Sequence, residues 1–212
     1  FEGPEINGMA ENPIDSVLIG ISMGTSSSTL YKIDPILGGC IPFITVPVGN
    51  IRAIAFAPSG TLFAAQKSGS LYKINLTTGD ATLIGTASGV QYASLAFSPV
   101  DGRLFASVSK NVGTGKDMIC VVDTSTADTT LIGFTGDGKN TPAITFNIED
   151  NTLYGLKGTQ SEINKLITIN TDNGSGTEIS TLGISGLQTI FISSIIVGVE
   201  DEIIYAPTSY EL

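Results

Sequence analysis

Histidine and tryptophan are absent from this chain of 212 residues, and only two cysteines occur. Without histidine there is no Ser-His-Asp or Cys-His catalysis, no imidazole metal ligand and no side chain with an ordinary pKa near 7. Carboxylate pairs, a lysine or an oxygen-liganded metal are the routes that remain for catalysis. No motif of these kinds stands out, so the sequence predicts no catalytic residue, no metal site and no cofactor.

Basic residues are also scarce, since 10 Lys and Arg stand against 20 Asp and Glu and the net charge is −10. Nucleic acids and anionic membrane surfaces are bound by clusters of Lys and Arg, and the sequence has no such cluster. No apolar run reaches the roughly 18 residues of a transmembrane helix. We therefore expect neither a nucleic-acid partner nor insertion into a membrane.

What the chain does contain is a repeated unit of four short apolar runs. In the clearest copy, residues 50–85, these runs are Ala53–Phe56, Leu62–Ala65, Leu71–Ile74 and Thr82–Ile84, separated by turns rich in Gly, Pro, Ser, Thr and Asp. Runs of this length and composition are typical of strands joined by hairpins. Four such strands form one blade of a β-propeller.

The unit recurs along most of the chain. Leu30–Asp34 returns as Leu71–Asn75, 41 residues later, and Ala55–Pro58 returns as Ala96–Pro99. A period of 41 to 49 residues without a helical 3.6-residue pattern fits propeller blades better than a helical solenoid. The predicted fold class is all-β, a β-propeller of four-stranded antiparallel blades.

The blades are predicted to be unequal, with strands a to d counted outward from the axis. We expect a polar N-terminal lead at 1–13 and a single propeller domain at 14–212. The domain would hold a first blade of strands b, c and d only, full blades at about 49–89, 90–139 and 140–186, and a tail, 187–212, that supplies one more a and b.

The tail allows two registers, because Ser194–Ala206 matches Ser94–Ala106 whereas Gly186–Gln188 matches Gly89–Gln91. The predicted count is about five blades, with incomplete first and last blades. An open propeller exposes a sheet face and strand edges, so the two termini would close the ring together. A part of a larger propeller and closure by a second chain are the alternatives.

Two stretches carry a resemblance to a known group of repeats. Leu71–Gly85 and Leu95–Ala106 resemble the blades of bacterial secreted propellers, in the broad group of YVTN, NHL and quinoprotein-like repeats. The resemblance implies a propeller over about 17–206 but says little of function, because the group includes ligand-binding scaffolds, adhesion modules and enzymes. Without Trp, it supports neither a pyrroloquinoline cofactor nor a WD-type scaffold.

Several features favour an exported protein. The chain begins at Phe1 rather than Met, only 14% of its residues are charged, and its loops are rich in Thr and Ser. We therefore expect an extracellular or cell-surface location, with the periplasm as the alternative. Cys40 and Cys120 fall two blades apart, beyond the roughly 7 Å between Cα atoms that a disulfide allows, so we expect them not to be joined.

Amide side chains recur where each strand a begins. Asn50, Gln91 and Asn140 stand at aligned positions, and Gln188 joins them in the second register of the tail. Because d–a and b–c loops share one face of a propeller, these amides would surround one mouth of the axial channel and could bind a sugar, a peptide or a hydrated ion. The alternative is that each amide satisfies the backbone of its own turn. Arg52, the basic residue near these entries, favours an anionic partner.

The sequence therefore favours an exported, non-catalytic binding module with a protein, peptide or glycan ligand on this face. One alternative is a structural subunit of a surface layer or filament, a homo-oligomer built through the incomplete terminal blades. A further alternative is a carboxylate- or metal-dependent hydrolase or lyase. That enzyme would need acidic side chains converging on the axis, where the aligned positions hold amides and apolar residues.

Overall fold

Four sheets of four antiparallel strands make up the computed structural model, which describes residues 4–110, 117–158 and 161–192. Each sheet is a meander in which every strand pairs with the next one along the chain. No helix occurs in the described residues, so none there is long and apolar enough to cross a membrane. The predicted all-β propeller is confirmed, as a four-bladed arrangement of the described part.

Each blade runs from an innermost strand beside the axis to an outermost strand. The first blade contains β1 (Gly8–Glu11), β2 (Leu18–Met23), β3 (Ser28–Ile33) and β4 (Cys40–Val46). The second contains β5 (Ile51–Phe56), β6 (Leu62–Gln66), β7 (Ser70–Ile74) and β8 (Ala81–Thr86). The third contains β9 (Val90–Phe97), β10 (Leu104–Lys110), β11 (Met118–Val122) and β12 (Thr129–Phe134). The fourth contains β13 (Ala143–Phe146), β14 (Leu153–Lys157), β15 (Ile163–Ile169) and β16 (Gly176–Ser185).

Burial changes from the axis outward, and the sequence pattern changes with it. Residues 53–56 of β5 and 62–65 of β6 are buried in succession, because both faces of the inner strands are covered by neighbouring blades. The outermost strand β8 has no buried residue and exposes Leu83 at 55%. Continuous apolar runs therefore mark inner strands, and mixed runs mark the rim.

Neighbouring blades pack face to face through aromatic and close backbone contacts. The Phe63 and Phe97 rings join the second and third blades at 5.3 Å between centroids, and Phe105 and Phe146 join the third and fourth at 5.4 Å. Further out, a Cβ at Gly133 of β12 would overlap the backbone of the turn between β15 and β16. The repeat thus needs its glycine there, because a neighbouring turn lies directly against the strand.

The first blade differs from the prediction. The sequence predicts strands b, c and d only, and this is wrong, because β1 lies inside the predicted polar lead and pairs with β2 from Gly8↔Ile21 to Glu11↔Leu18. The sequence signal was weak, since β1 has four residues, two of them only half-buried. The count of about five blades is not confirmed, because the described residues form four.

The segment 187–192 lies between the fourth and first blades. Leu187 and Ile190 pack in a cluster with Leu156 of the fourth blade, while Phe191 packs with Met9 and Leu18 of the first. The segment therefore occupies the inner position that the sequence assigns to a further strand a. The predicted strand b of the tail lies outside the described residues.

Two further predictions can be checked against the fold. No disulfide joins Cys40 and Cys120, as expected. Phe56, Phe97 and Phe146 are each the last residue of an innermost strand. Phe56 and Phe146 are buried and Phe97 is half-buried. The alignment of Ala55–Pro58 with Ala96–Pro99 is therefore confirmed in position, and Phe146 holds the same place in the fourth blade.

Candidate functional site

The channel opens on two faces, and the face of the d–a and b–c loops has a polar opening. This cavity has a volume of about 490 Å³. Its lining residues, hereafter the polar mouth, are Glu5, Asn7, Met23, Arg52, Asn140, Pro142, Gly158, Ser161, Leu187 and Gln188. Three of the five site residues predicted from the sequence therefore meet around one opening.

Arg52 connects distant parts of the chain across this opening. It is the second residue of β5 and is half-buried, and its Nη2 donates a hydrogen bond to Oε1 of Gln188 at 2.9 Å. Burial lowers the pKa of the Arg52 guanidinium, and the negative charge of Glu5 opposes that shift. A guanidinium keeps its charge at neutral pH and has five N–H donors, of which this hydrogen bond uses one.

Gln188 is placed by the tail register that matches Gly186–Gln188 to Gly89–Gln91. Gly186 and Gly89 both adopt a left-handed backbone, with φ of 78° and 73°. Leu187 is buried as Val90 is. These features agree with this register, in which Gln188 lines the mouth. The residues of the other register, Ser194–Ala206, lie outside the described residues.

Asn140 lies in the connection between β12 and β13, and its carbonyl oxygen accepts a hydrogen bond from the Gly158 amide at 3.0 Å. That bond joins a d–a loop to a b–c loop of the fourth blade. The ion pair between Lys139 Nζ and Glu162 Oε1, at 2.9 Å, joins the same two loops. Asn140 is exposed beside Pro142, which aligns with Arg52 of the second blade.

A buried lysine holds that connection in place. Lys157 is 5% exposed, and its Nζ donates to the carbonyl oxygens of Thr135, at 3.0 Å, and Gly136. The same ammonium lies 3.0 Å from Oδ1 of Asp137, which is half-exposed. A buried ammonium needs such partners, and here they are the backbone of the loop that leads to Asn140.

Asn50 instead forms hydrogen bonds with the loop between β2 and β3 of the first blade. Its φ is 57°, its backbone amide donates to Gly24 O at 2.7 Å, and its Nδ2 donates to Thr25 O at 3.3 Å. Asn tolerates the left-handed conformation better than most residues, which accounts for its presence at this position. Asn50 is not among the residues that line the polar mouth.

Gln91 is also absent from the lining of the polar mouth. It lies in β9, half-buried, opposite Ser109 of β10. The sequence thus predicted five site residues, four aligned amides and Arg52, and the structure separates Asn50 and Gln91 from Arg52, Asn140 and Gln188. Equivalence in the repeat places the backbone, while the direction of each side chain depends on its own loop.

The segment before β1 also contributes to the polar mouth, which the repeat did not predict. Asn7 is buried, and its Oδ1 accepts a hydrogen bond from the Met23 amide at 2.9 Å. Its Nδ2 donates to Oε1 of Glu5 at 3.2 Å. The polar character of residues 1–13 was the one available signal, because this stretch matches no other part of the repeat.

The opposite face, formed by the a–b and c–d turns, has an apolar opening of about 240 Å³. The ends of all four innermost strands line it, including Phe56, Phe97 and Phe146, together with Phe191 of the tail segment. We call this the apolar mouth. Glu11 and Thr145 are the polar residues of its lining.

The chemistry available at the polar mouth is hydrogen bonding and charge. The described residues contain no group of three or more His, Cys, Asp and Glu side chains that could hold a metal ion. The lining offers one guanidinium, three amides, one hydroxyl and one carboxylate. Such a set can recognise hydroxyl, carboxylate or amide groups of a ligand.

Of three comparisons with known proteins, the one with solved structures finds matches. No protein-family model and no curated protein matches the chain. Among solved structures, hydrazine synthase of Kuenenia stuttgartiensis superposes with a TM-score of 0.59 at 19% identity, covering 86% of this chain and 51% of that one.

Two further solved structures are similar to a comparable degree. TolB from Acinetobacter baumannii gives a TM-score of 0.56 at 14% identity, covering 88% of this chain and 45% of that one. The extracellular domain of a putative hybrid two-component system from B. thetaiotaomicron gives 0.53 at 13%, covering 91% and 26%. This chain spans about half the length of the hydrazine synthase and TolB chains and about a quarter of the extracellular domain. The likeness to these structures shows a propeller fold.

Proposed function

We propose that the chain is an exported, non-catalytic propeller module that binds a protein, peptide or glycan ligand at the polar mouth. The observation that carries the proposal is the meeting of Arg52, Asn140 and Gln188 around one cavity of about 490 Å³. Polar groups that converge from separate elements of a rigid scaffold are typical of binding sites.

The mouth favours a ligand that carries both a carboxylate and hydroxyl or amide groups. Arg52 supplies the positive charge, and a guanidinium binds carboxylates through paired hydrogen bonds. Asn140 and Gln188 offer donors and acceptors that suit sugar hydroxyls and peptide groups. We therefore propose an acidic glycan or a peptide carboxylate as the ligand class.

Among its described lining residues the polar mouth has a single carboxylate, which supports binding rather than catalysis. Glu5 is the acidic residue among its lining residues. Hydrolysis of a glycosidic bond by carboxylates uses a pair of them on either side of the bond. We propose that the module performs no reaction and that the mouth retains its ligand.

Export is supported by the composition of the chain and by one structural neighbour. The chain has 14% charged residues and a net charge of −10. One similar solved structure is an extracellular domain of a putative two-component system. We propose an extracellular or periplasmic location, and partners other than nucleic acid, which a strongly acidic chain repels.

The test compares Arg52→Ala with Asn50→Ala, because the two residues stand at the same strand entry with different contacts. Binding to an array of acidic and neutral glycans is measured at low and at high salt. Arg52→Ala should lose retention on acidic glycans, most clearly at low salt, and should also lose about 1 kcal/mol of stability with its hydrogen bond to Gln188. Asn50→Ala should keep retention and lose about 1 kcal/mol of stability, because it removes a turn contact at positive φ.

Equal retention of the wild type and Arg52→Ala on every acidic glycan would contradict an anionic ligand at this mouth. A second arm replaces the two amides, Asn140→Ala and Gln188→Ala, and measures retention on neutral glycans. Unchanged retention in that arm would contradict the proposed site as a whole.

A further inference from the structure

Among the described residues, the net negative charge is concentrated on the face opposite the polar mouth. The described a–b and c–d connections contain nine acidic residues and one basic residue, Arg103. The nine are Asp15, Asp34, Asp80, Asp101, Asp123, Asp128, Glu149, Asp150 and Asp172. In the described d–a and b–c connections, by contrast, acidic and basic residues are nearly balanced.

Two of these carboxylates, Asp34 and Asp123, have a pKa lowered by hydrogen bonds within their own turns. Backbone amides of Leu37 and Ile36 lower the pKa of Asp34, and the hydroxyl and amide of Ser125 lower the pKa of Asp123. Both aspartates cap exposed turns, so their charge faces solvent and is not consumed by a buried partner. With nine acidic residues against one basic residue in its described connections, this face carries a negative field.

The centre of the same face is apolar. The apolar mouth has a volume of about 240 Å³, larger than the roughly 150 Å³ apolar cavity that accommodates benzene. Beside it, three a–b turns expose large apolar side chains: Ile14 at 69%, Val100 at 75% and Ile148 at 58%. Exposed apolar side chains grouped around an open apolar cavity mark an interaction surface.

The turns that carry this surface are well fixed. Asn12 and Asn147 bind backbone amides of their own turns, at 3.1 Å and 2.9 Å. Ser98 and Asn151 form a hydrogen bond of 3.4 Å between the third and fourth blades. A rigid surface loses little entropy on binding, so a small apolar contact can contribute measurable affinity.

We propose that the apolar mouth binds a basic segment of a partner protein that inserts one aromatic or branched aliphatic side chain between flanking Lys or Arg residues. The apolar cavity and its rim select the inserted side chain. The ring of turn carboxylates selects the flanking positive charges, by the same complementarity that steers charged partners together. An anionic membrane surface is repelled by this ring.

The probe is a capped pentapeptide with a central phenylalanine between four lysines, titrated into the protein by calorimetry at low salt. Two matched peptides replace the phenylalanine by alanine or all four lysines by glutamate. We expect the alanine peptide to bind about fivefold more weakly or worse, since the buried ring is lost. The glutamate peptide should show no binding, and high salt should weaken the phenylalanine peptide.

Variants locate the binding on this face. Val100→Asn together with Ile148→Asn removes the apolar rim without changing charge and should weaken the phenylalanine peptide about fivefold. Glu149→Lys should weaken it as well. Leu83→Asn changes an exposed leucine of β8, away from the mouth, and should leave the affinity unchanged.

Equal binding of the lysine and glutamate peptides, or of the phenylalanine and alanine peptides, would overturn the proposal. Unchanged affinity in the rim variant would overturn it too, because binding would then lie elsewhere. Absence of binding by all three peptides would also overturn it, in favour of an apolar mouth filled by the chain itself.

Discussion

The two mouths of the channel are built from the same four blades, yet they obey different rules. The apolar mouth follows the repeat, since Phe56, Phe97 and Phe146 hold one position in three blades. The polar mouth departs from the repeat, since Arg52 pairs with Gln188, 136 positions away. The comparison teaches that residues packed between blades are copied with the fold, whereas residues that line the polar mouth differ from blade to blade.

The difference extends to what each mouth contributes to stability. The phenylalanines of the apolar mouth are also part of the packing between blades, so binding and folding share them. At the polar mouth, the loop leading to Asn140 is held by one buried ammonium, Lys157, whose partners are two backbone carbonyls, the Thr135 hydroxyl and the Asp137 carboxylate. Substitutions should therefore separate the two mouths by the size and the kind of their effect.

The largest effect is expected from Phe146→Ala. Phe146 is 6% exposed and packs edge-on against Phe105, so the substitution should lower the free energy of unfolding by about 3–5 kcal/mol. The measurement is urea denaturation followed by circular dichroism. Phe134→Ala, at an exposed outer strand, should cost less than about 1 kcal/mol. A similar loss in the free energy of unfolding for both variants would show that Phe146 of the apolar mouth is not part of the core.

An intermediate effect is expected from Lys157→Met, which keeps the apolar stem and removes the ammonium. The carbonyls of Thr135 and Gly136 would lose a charged donor, at a cost of about 2 kcal/mol in the free energy of unfolding. Ligand retention at the polar mouth should fall while peptide binding at the apolar mouth persists. Lys165→Met, which breaks an exposed ion pair with Glu178, is the control and should cost at most about 1 kcal/mol. Loss of both binding activities in Lys157→Met would show that the two mouths are not independent.

The smallest effect concerns pH and the turns of the acidic face. The pKa of Asp123 is lowered, chiefly by the Ser125 hydroxyl, so its stabilising contribution is present above the unfolded pKa and is lost as pH falls through the folded pKa. Asp123→Asn keeps an acceptor for the turn, as Asn75 and Asn170 do in their blades, and removes that titration. Its stability should decline less than that of the wild type below about pH 4. Identical acid profiles would mean that the turn charge has no stabilising role.

Much of the fold could be predicted because the repeat is local. Predicted runs such as Leu62–Ala65 and Leu71–Ile74 differ from β6 and β7 by one residue. The innermost strand β1 was missed because its four residues match no other copy and because its pairing with β2, not its composition, makes it a strand. Short edge and inner strands acquire their structure from their neighbours.

The candidate site was predicted in part, for a related reason. Alignment of the repeats found Asn140 and Gln188, and the charge of Arg52 singled it out, but neither signal could separate these residues from Asn50 and Gln91. Asn50 turns away because its left-handed backbone and its hydrogen bond to Thr25 fix its side chain. Such contacts join loops that are far apart in sequence, and no single repeat encodes them.

The sequence by itself determined the blade, because alternating apolar runs and turn residues act over a few neighbouring positions. It also determined the overall negative charge and the absence of histidine chemistry. Only the tertiary structure decided which amides face the channel, that residues 187–192 fill the space between the fourth and first blades, and that charge gathers on one face. The physical reason is that these properties depend on distances between loops of different blades, which are set when the sheets pack around one axis.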